Sequence, residues 1–322
     1  MLFETWPSPV SQTVIREQTR VMFLVLGYIA CVFILYKLLT LIPRPKTPLY
    51  KKYATESSWC LITGCTDGIG QAMAVYLAKK KWNLILVGRN ATKLDTLVKE
   101  LSAFGVELKT VQVDLSDDLT LENDIITSHH IRISDAIQSV PQLNMLINNA
   151  GVSHEFPNEF SKEPLHKLKQ IINVNILGVV VVTKLALPKL KGCIINMGSF
   201  SGLLPSPLLS VYSGSKVFVQ YLGDCLAIEE KIDIYHLDTY FVSTKMSKMK
   251  PNWMCPTAEA FAASVMQGNL SCKTNSGYTG YWSHSFLKWG LTTLFTTGFW
   301  MDQIYKLHLG IQKRALRKQK NK

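Results

Sequence analysis

From residue 55 onward the chain alternates short apolar runs with amphipathic stretches of helical period, and few folds accept that pattern. Strand-like runs fall at Trp59–Thr63, Leu84–Val87, Leu108–Val113, Leu143–Ile147, Cys193–Met197 and Asp233–Leu237. Between them, stretches such as Gln71–Lys80 and Lys93–Leu101 repeat their apolar residues at helical spacing. Strands separated by helices pair in parallel, since each connection must cross back over the sheet, and the helices then cover both faces. The expected fold is α/β, a Rossmann-like doubly wound parallel sheet forming a single domain over residues 55–285. Sheets of this kind bind ligands outside the carboxyl ends of their strands. The chemistry should therefore sit just after each run.

The first run leads into Thr63-Gly64-Cys65-Thr66-Asp67-Gly68-Ile69-Gly70, followed by a helix. Glycines at these positions permit a tight turn, close approach of a pyrophosphate to the backbone, and close packing of helix on strand. The helix N-terminus then offers its N–H groups to the phosphates. A glycine-rich turn alone is a weak signal; between this strand and this helix it indicates a dinucleotide site built from Gly64, Asp67, Gly68, Ile69 and Gly70. The second run ends at Val87-Gly88-Arg89-Asn90. An acid in this place holds the ribose hydroxyls of NAD, whereas the guanidinium of Arg89 suits the 2′-phosphate of NADP. The plainer alternative is an arginine that caps the strand end. Asp114 closes the third run and suits the adenine amino group, and Asn148-Asn149-Ala150-Gly151 closes the fourth.

Ser199 follows the fifth run, and Tyr212-Ser213-Gly214-Ser215-Lys216 opens the next helix. Tyr212 and Lys216, four residues apart, share one helical face. A free tyrosine titrates near ~10, and a neighbouring cation lowers that by ~1–3, which would make Tyr212 a proton donor near neutral pH. Ser199 can hydrogen-bond a carbonyl oxygen while hydride arrives at its carbon. Asn175, in Asn173-Val174-Asn175, can hold a water that relays protons to Lys216. A tyrosine and lysine at this spacing occur on many ordinary helices; the ordered set of glycine turn, asparagine, serine and tyrosine–lysine pair is far more specific. Leu203, Leu204, Pro205, Pro207, Leu208 and Leu209 lie between the serine and the tyrosine. They would form an apolar wall beside the reacting centre, or simply pack a loop.

Ahead of this domain, Val21 to Ile42 is an apolar run of 22 residues broken only by Lys37. About 20 such residues span a bilayer, Lys37 lies near one end where it can snorkel, and Pro43 and Pro45 close the helix. The run is too long for a cleaved signal and no small-residue cleavage site follows it. Residues 1–20 then form a lumenal segment and 21–42 a transmembrane anchor. Arg44, Lys46, Lys51 and Lys52 outnumber Arg16 and Arg20 across the span, which puts the main domain on the cytosolic side. The seven scattered cysteines contain no CxxC pair, so neither a disulfide framework nor a metal site is expected. A second apolar region, Phe286–Ile304, carries Lys288 and Asp302 and reads either as an interfacial helix or as a buried helix of the domain. It opens a segment, 286–322, whose basic tail carries much of the formal charge of +12. No nucleic-acid motif accompanies that tail, so an anionic membrane face or anionic substrate is the expected partner.

Together, TGxxxGIG, NNAG, the NVN asparagine, Ser199 and YSGSK resemble the short-chain dehydrogenase/reductase superfamily over about residues 57–250. A closer similarity lies in Asn196-Met197-Gly198-Ser199-Phe200-Ser201-Gly202-Leu203-Leu204-Pro205, in Pro207-Leu208-Leu209, in Tyr240-Phe241-Val242-Ser243-Thr244-Lys245-Met246-Ser247-Lys248 and in Tyr281-Trp282-Ser283-His284. With the N-terminal anchor, these resemble the very-long-chain 3-oxoacyl-CoA reductases of fatty-acid elongation, a family related to microsomal 17β-hydroxysteroid dehydrogenases. Thr239 departs from the pattern, standing where relatives often carry Pro or Ser. The resemblance implies Tyr212 as proton donor, Lys216 as its activator and Ser199 as the residue that positions substrate. It implies NADPH/NADP contacts from Ile62, Asp114, Asn149, Tyr212, Lys216, Val242 and Thr244. It further implies an acyl-CoA lipid substrate, an endoplasmic reticulum membrane location, and work beside the condensing enzyme, dehydratase and enoyl reductase of elongation; related folds commonly form homodimers. The ending Lys318-Gln319-Lys320-Asn321-Lys322 is similar to a dilysine retrieval signal. A lipid-alcohol or steroid dehydrogenase on the same scaffold, and a non-catalytic NADPH-binding adaptor, remain as alternative expectations.

Overall fold

The computed structural model describes residues 9–39, 47–116, 128–268, 277–294 and 296–320. They form two units, Met1–Arg44 and Pro45–Lys322.

The described residues of the first unit form one helix, α1 (Pro9–Leu39). Its stretch Arg16–Tyr36 has a mean hydropathy of 2.0 and is long and apolar enough to cross a membrane. Phe23, Leu24 and Tyr28 all stand exposed on it. The helix starts well before the apolar run at Val21 because Thr13 to Arg20 contains no residue that breaks a helix. The expected end of the span at Ile42, with Pro43 and Pro45 behind it, lies outside the described residues.

The second unit carries six strands, β1 (Trp59–Thr63), β2 (Asn83–Gly88), β3 (Leu108–Gln112), β4 (Leu143–Asn148), β5 (Leu190–Met197) and β6 (Asp233–Leu237). Every pairing is parallel, and the order is β3-β2-β1-β4-β5-β6. This is the doubly wound, Rossmann-like sheet expected from the alternation. The chain reverses direction across the sheet between β1 and β4, the place where such folds open a cleft. The helices are α2 (Leu49–Lys52), α3 (Gly68–Lys79), α4 (Ala91–Ser102), α5 (Ser128–Gln138), α6 (Leu165–Ile172), α7 (Gly178–Ala186), α8 (Phe200–Leu203), α9 (Ser210–Glu229), α10 (Ala258–Gln267), α11 (Trp282–Thr293) and α12 (Thr297–Lys320).

Strand side chains alternate between faces, and the core divides accordingly. Cys60, Ile62, Leu84 and Leu86 pack against Met73 and Leu77 of α3, Leu94 and Leu97 of α4, and Phe261 and Val265 of α10. Trp59, Leu61, Ile85 and Val87 pack on the opposite face against Ile133 and Ile137 of α5 and Val182 and Ala186 of α7. Each such apolar side chain taken fully out of water contributes about 1.5–3 kcal/mol. Between the layers, Asn148 donates from Nδ2 to Thr183 Oγ1 at 3.0 Å and to Asn196 Oδ1 at 2.9 Å, which ties β4 to α7 and β5.

Observed strands match the expected runs closely, except that β5 begins at Leu190 rather than Cys193. Lys191 and Gly192 interrupt the apolar pattern there. Leu165–Lys189 also meets the length and hydropathy of a membrane span, but more than half of that window is buried, as α6 and α7 pack inside the domain. The stretch 286–304 divides between α11 and α12, so the expected boundary at residue 285 falls within a helix. Ser283 and His284 of α11 are fully buried, and Lys288 donates to Asp238 Oδ2 at 2.6 Å. The beginning of this apolar region is therefore a helix of the domain.

Candidate active site

Each strand of the sheet delivers a polar group to its carboxyl edge. After β1 the chain turns at Gly64, whose φ of +64° suits glycine, and a side chain there would meet the Ala150 backbone at 2.8 Å. Asn149 holds this turn from beneath, donating from Nδ2 to Thr63 O and to Gly64 O, each at 3.0 Å. Thr63 Oγ1 accepts from the N–H groups of Asn149 and Ala150, both at 3.0 Å. A Cβ on Gly70 would collide with Asn149 Nδ2 and the Gly64 carbonyl. Both amide hydrogens of Asn149 are thus engaged by the turn, and Ile62 lies fully inside the core beneath it. These two implied cofactor residues shape the cradle; their side chains have little left to offer a ligand.

Asp67 caps α3, its Oδ1 accepting from Gly68 N at 2.9 Å. Partial burial pushes its carboxyl up, but Lys93 and Lys245, each 3.1 Å from Oδ2, prevail and hold it below the ordinary carboxylate range. The sequence reading missed both lysines, since 26 and 178 residues separate them from Asp67. Thr244 closes over the turn, its Cγ2 within 3.2 Å of a Cβ built on Gly68, and Val242 is buried just before it. At the far edge Arg89 Nη1 lies 3.8 Å from Asp114 Oδ2, with Arg89 largely exposed. Asp114 Oδ1 accepts from Ser116 N at 2.9 Å and from Ser116 Oγ at 2.8 Å.

At the β5 end, Ser199 caps the short helix α8, with Oγ accepting from Ser201 N at 3.1 Å. The Ser199 side chain lies beside the Tyr212 hydroxyl, near enough to favour the phenolate. Lys216 donates from Nζ to Met197 O at 2.8 Å and lies over the Tyr212 ring, 5.6 Å from its centroid. The three residues expected to carry the chemistry therefore meet at one point on the cleft. Electrostatics differ from the expectation. Burial pushes the Tyr212 phenol above its ordinary value, and the neighbouring Ser199 offsets this only in part. Burial also pulls the Lys216 ammonium down to about 8. Lys216 is buried and Tyr212 half-buried, so each favours its neutral form. Instead of a tyrosine acidified in advance, the pair is an uncharged phenol beside a weakly held ammonium.

Asn175 lies in a one-turn π-helix, Asn173–Leu177, between α6 and α7. Such turns misalign the helical ladder and recur at functional sites. Asn175 Oδ1 accepts from Val152 N at 2.8 Å, while Nδ2 donates to Val152 O at 2.9 Å and to Ser215 Oγ at 3.0 Å. The side chain of Asn175, the residue expected to hold a helix-bound water, is taken up by the rim of the cleft. Beneath Ser199, His236 packs against Gly198 and is held neutral, with its pKa driven down to about 3 by burial and then by Lys216 and Lys288. Its Nε2 stands 3.6 Å from Asp238 Oδ1, too long for a hydrogen bond. Nothing in the sequence around residue 286 signalled that Lys288 would complete this buried network. Among the described residues no group of His, Cys, Asp and Glu could hold a metal ion.

The family described as short chain dehydrogenase matches residues 58–254. A very-long-chain 3-oxoacyl-CoA reductase of Podospora anserina is 36% identical over 287 residues, covering 84% of this chain and 82% of its own. One from Laccaria bicolor is 32% identical and covers 96% of this chain and 95% of its own. Among solved structures, a 7beta-hydroxysteroid dehydrogenase superposes with a TM-score of 0.64 at 21% identity, covering 80% of this chain and 99% of its own. A Sphingobium yanoikuyae short-chain dehydrogenase in complex with NADPH gives 0.56 at 20%, covering 80% of this chain and 95% of its own. Fold, edge residues and relatives agree: the chain belongs to the short-chain dehydrogenase family and, within it, groups with the very-long-chain 3-oxoacyl-CoA reductases.

Proposed function

We propose that this chain uses NADPH to reduce very-long-chain 3-oxoacyl-CoA to 3-hydroxyacyl-CoA, the first reduction of fatty-acid elongation. The observation that carries the reading is the meeting of Ser199, Tyr212 and Lys216 at the β5 edge of a chain whose relatives bear that name. The glycine cradle fits a dinucleotide, since side chains at Gly64 or Gly70 would fill the space under it. Exposed Arg89, with Lys93 on the next helix, suits a 2′-phosphate and so NADPH. When bound, NADPH supplies the hydride.

The protein's own residues manage the proton. Burial keeps the Tyr212 phenol protonated at neutral pH, the form a reduction requires. Ser199 Oγ and the Tyr212 hydroxyl, side by side, would together hydrogen-bond the ketone oxygen. As hydride reaches the carbon, the phenol gives its proton to that oxygen. The Lys216 ammonium stabilises the phenolate that forms, and with a pKa near 8 it readily returns a proton to it. Asn175 fixes the Val152 rim, which leaves its main chain rather than its amide to hold a relay water.

The apolar helix α1 supports a membrane anchor, here read as one in the endoplasmic reticulum, and the flanking charge favours a cytosolic reductase domain. There the condensing enzyme would supply its substrate, and the dehydratase and enoyl reductase would consume its product; a homodimer suits the fold. Turnover of 3-oxostearoyl-CoA and of a 17-ketosteroid by purified full-length protein tests the reading. Faster turnover of the acyl-CoA supports it. A preference for the steroid, or activity with neither, refutes it.

A further inference from the structure

Two loops border the candidate site, one after β4 and one between the catalytic serine and tyrosine, and α12 ties them together. The first runs from Val152, bonded to Asn175, to Glu163; the second is Leu204–Leu209, leading into α9. They meet where Asn158 N donates to Leu208 O at 2.9 Å. Helix α12 buries two polar side chains, His308 and Gln312, one turn apart on the same face. His308 Nδ1 is 2.7 Å from Pro207 O, which fixes it as the donor because a carbonyl can only accept. Gln312 donates from Nε2 to Asn158 Oδ1 at 3.2 Å. One face of α12 thus grips both loops at neighbouring points, each with a directional bond shielded from water.

Leu208 supplies an independent sign that this clasp is under constraint. Its φ is +70°, a left-handed conformation unfavourable for leucine. Such a residue persists only when its surroundings over-determine it, and here the peptides on either side of it are held: Pro207 O by His308, Leu208 O by Asn158. Leu203, Leu208 and Leu209 remain only half-buried, so this stretch presents apolar surface that the fold itself does not cover.

We propose that α12 braces the acyl-chain wall, and that His308 and Gln312 are positioning residues which set the preference for long chains. The inference rests on the acyl-CoA reading above. Ser199 caps α8 and Tyr212 lies on α9, neither bonded to α12 in the contacts above, and on this reading a long chain leaves the reacting centre along residues 203–209. A short substrate ends before it reaches them. Loosening the brace should therefore weaken binding of a long chain more than that of a short one.

The test compares 3-oxostearoyl-CoA with acetoacetyl-CoA in wild type, His308→Ala, Gln312→Ala and His308→Asn, whose amide can reproduce the lost donor. Either alanine variant should lower the ratio of long-chain to short-chain kcat/KM about tenfold, through KM, the order expected when two chain methylenes lose their contacts. His308→Asn should recover most of the ratio. Parallel loss on both substrates, or no change, overturns the proposal. If wild type reduces neither acyl-CoA, the functional reading fails, and hydrogen exchange at the Asn158 amide decides the brace separately: faster exchange in His308→Ala supports it, unchanged exchange refutes it.

Discussion

Replacing Lys216 with methionine, of similar length and no charge, should cost the reaction but help the fold. The ammonium of Lys216 titrates near 8 inside the protein, against 10.5 in an exposed chain. At about 1.4 kcal/mol per pH unit, holding that cation in the native state costs about 3 kcal/mol at neutral pH. The sign follows from proton counting: between pH 8 and 10.5 the unfolded chain binds the proton and the native chain does not, so wild-type stability rises with pH across that window. The variant lacks this rise. It also leaves the Met197 carbonyl without its donor, a loss of about 1 kcal/mol at all pH values. Lys216→Met should thus be about 2 kcal/mol more stable than wild type at pH 7 and about 1 kcal/mol less stable above pH 10.5, a swing of about 3 kcal/mol. For a domain of this size the difference in melting temperature should swing by roughly 6–12 °C. Thermal unfolding of detergent-solubilised protein at several pH values measures it. A difference between the two proteins that stays constant with pH would refute the claim that a strained buried ammonium sits beside Tyr212.

Arg89→Ala should raise KM for NADPH about tenfold, equivalent to about 1.4 kcal/mol, and leave KM for NADH unchanged; steady-state kinetics with both cofactors checks this. Lys288→Met strands the buried Asp238 carboxylate, and breaking such a pair costs about 3–5 kcal/mol, so the melting temperature should fall by roughly 8–16 °C. Gly70→Ala places a methyl against the Gly64 carbonyl and Asn149, and fluorescence titration should find NADPH binding lost while far-UV circular dichroism keeps its native shape.

The sheet was legible in the sequence because strands buried on both faces read as unbroken apolar runs, and five of the six begin within one residue of the expected start. Ser199 was legible because it follows β5, and Tyr212 and Lys216 because a spacing of four puts them on one helical face. Periodicity could not reveal the π-turn at Asn173, since the residues around it, from Ile171 to Val182, are too uniformly apolar for a shift of phase to show. Nor could composition tell that Lys288 faces inward: a lysine in an apolar helix reads the same whether its ammonium meets lipid headgroups or a carboxylate 50 residues earlier. The phenol's acidity was misjudged for a related reason. Spacing gives proximity to a cation, but not the burial that opposes it.

The account stands on Tyr212 as the proton donor, and Tyr212→Phe removes that one hydroxyl while keeping the ring. With NADPH and 3-oxostearoyl-CoA at saturation, kcat should fall by about 10²–10⁴-fold, with the melting temperature within a few degrees of wild type. A Tyr212→Phe protein that kept wild-type kcat would contradict it.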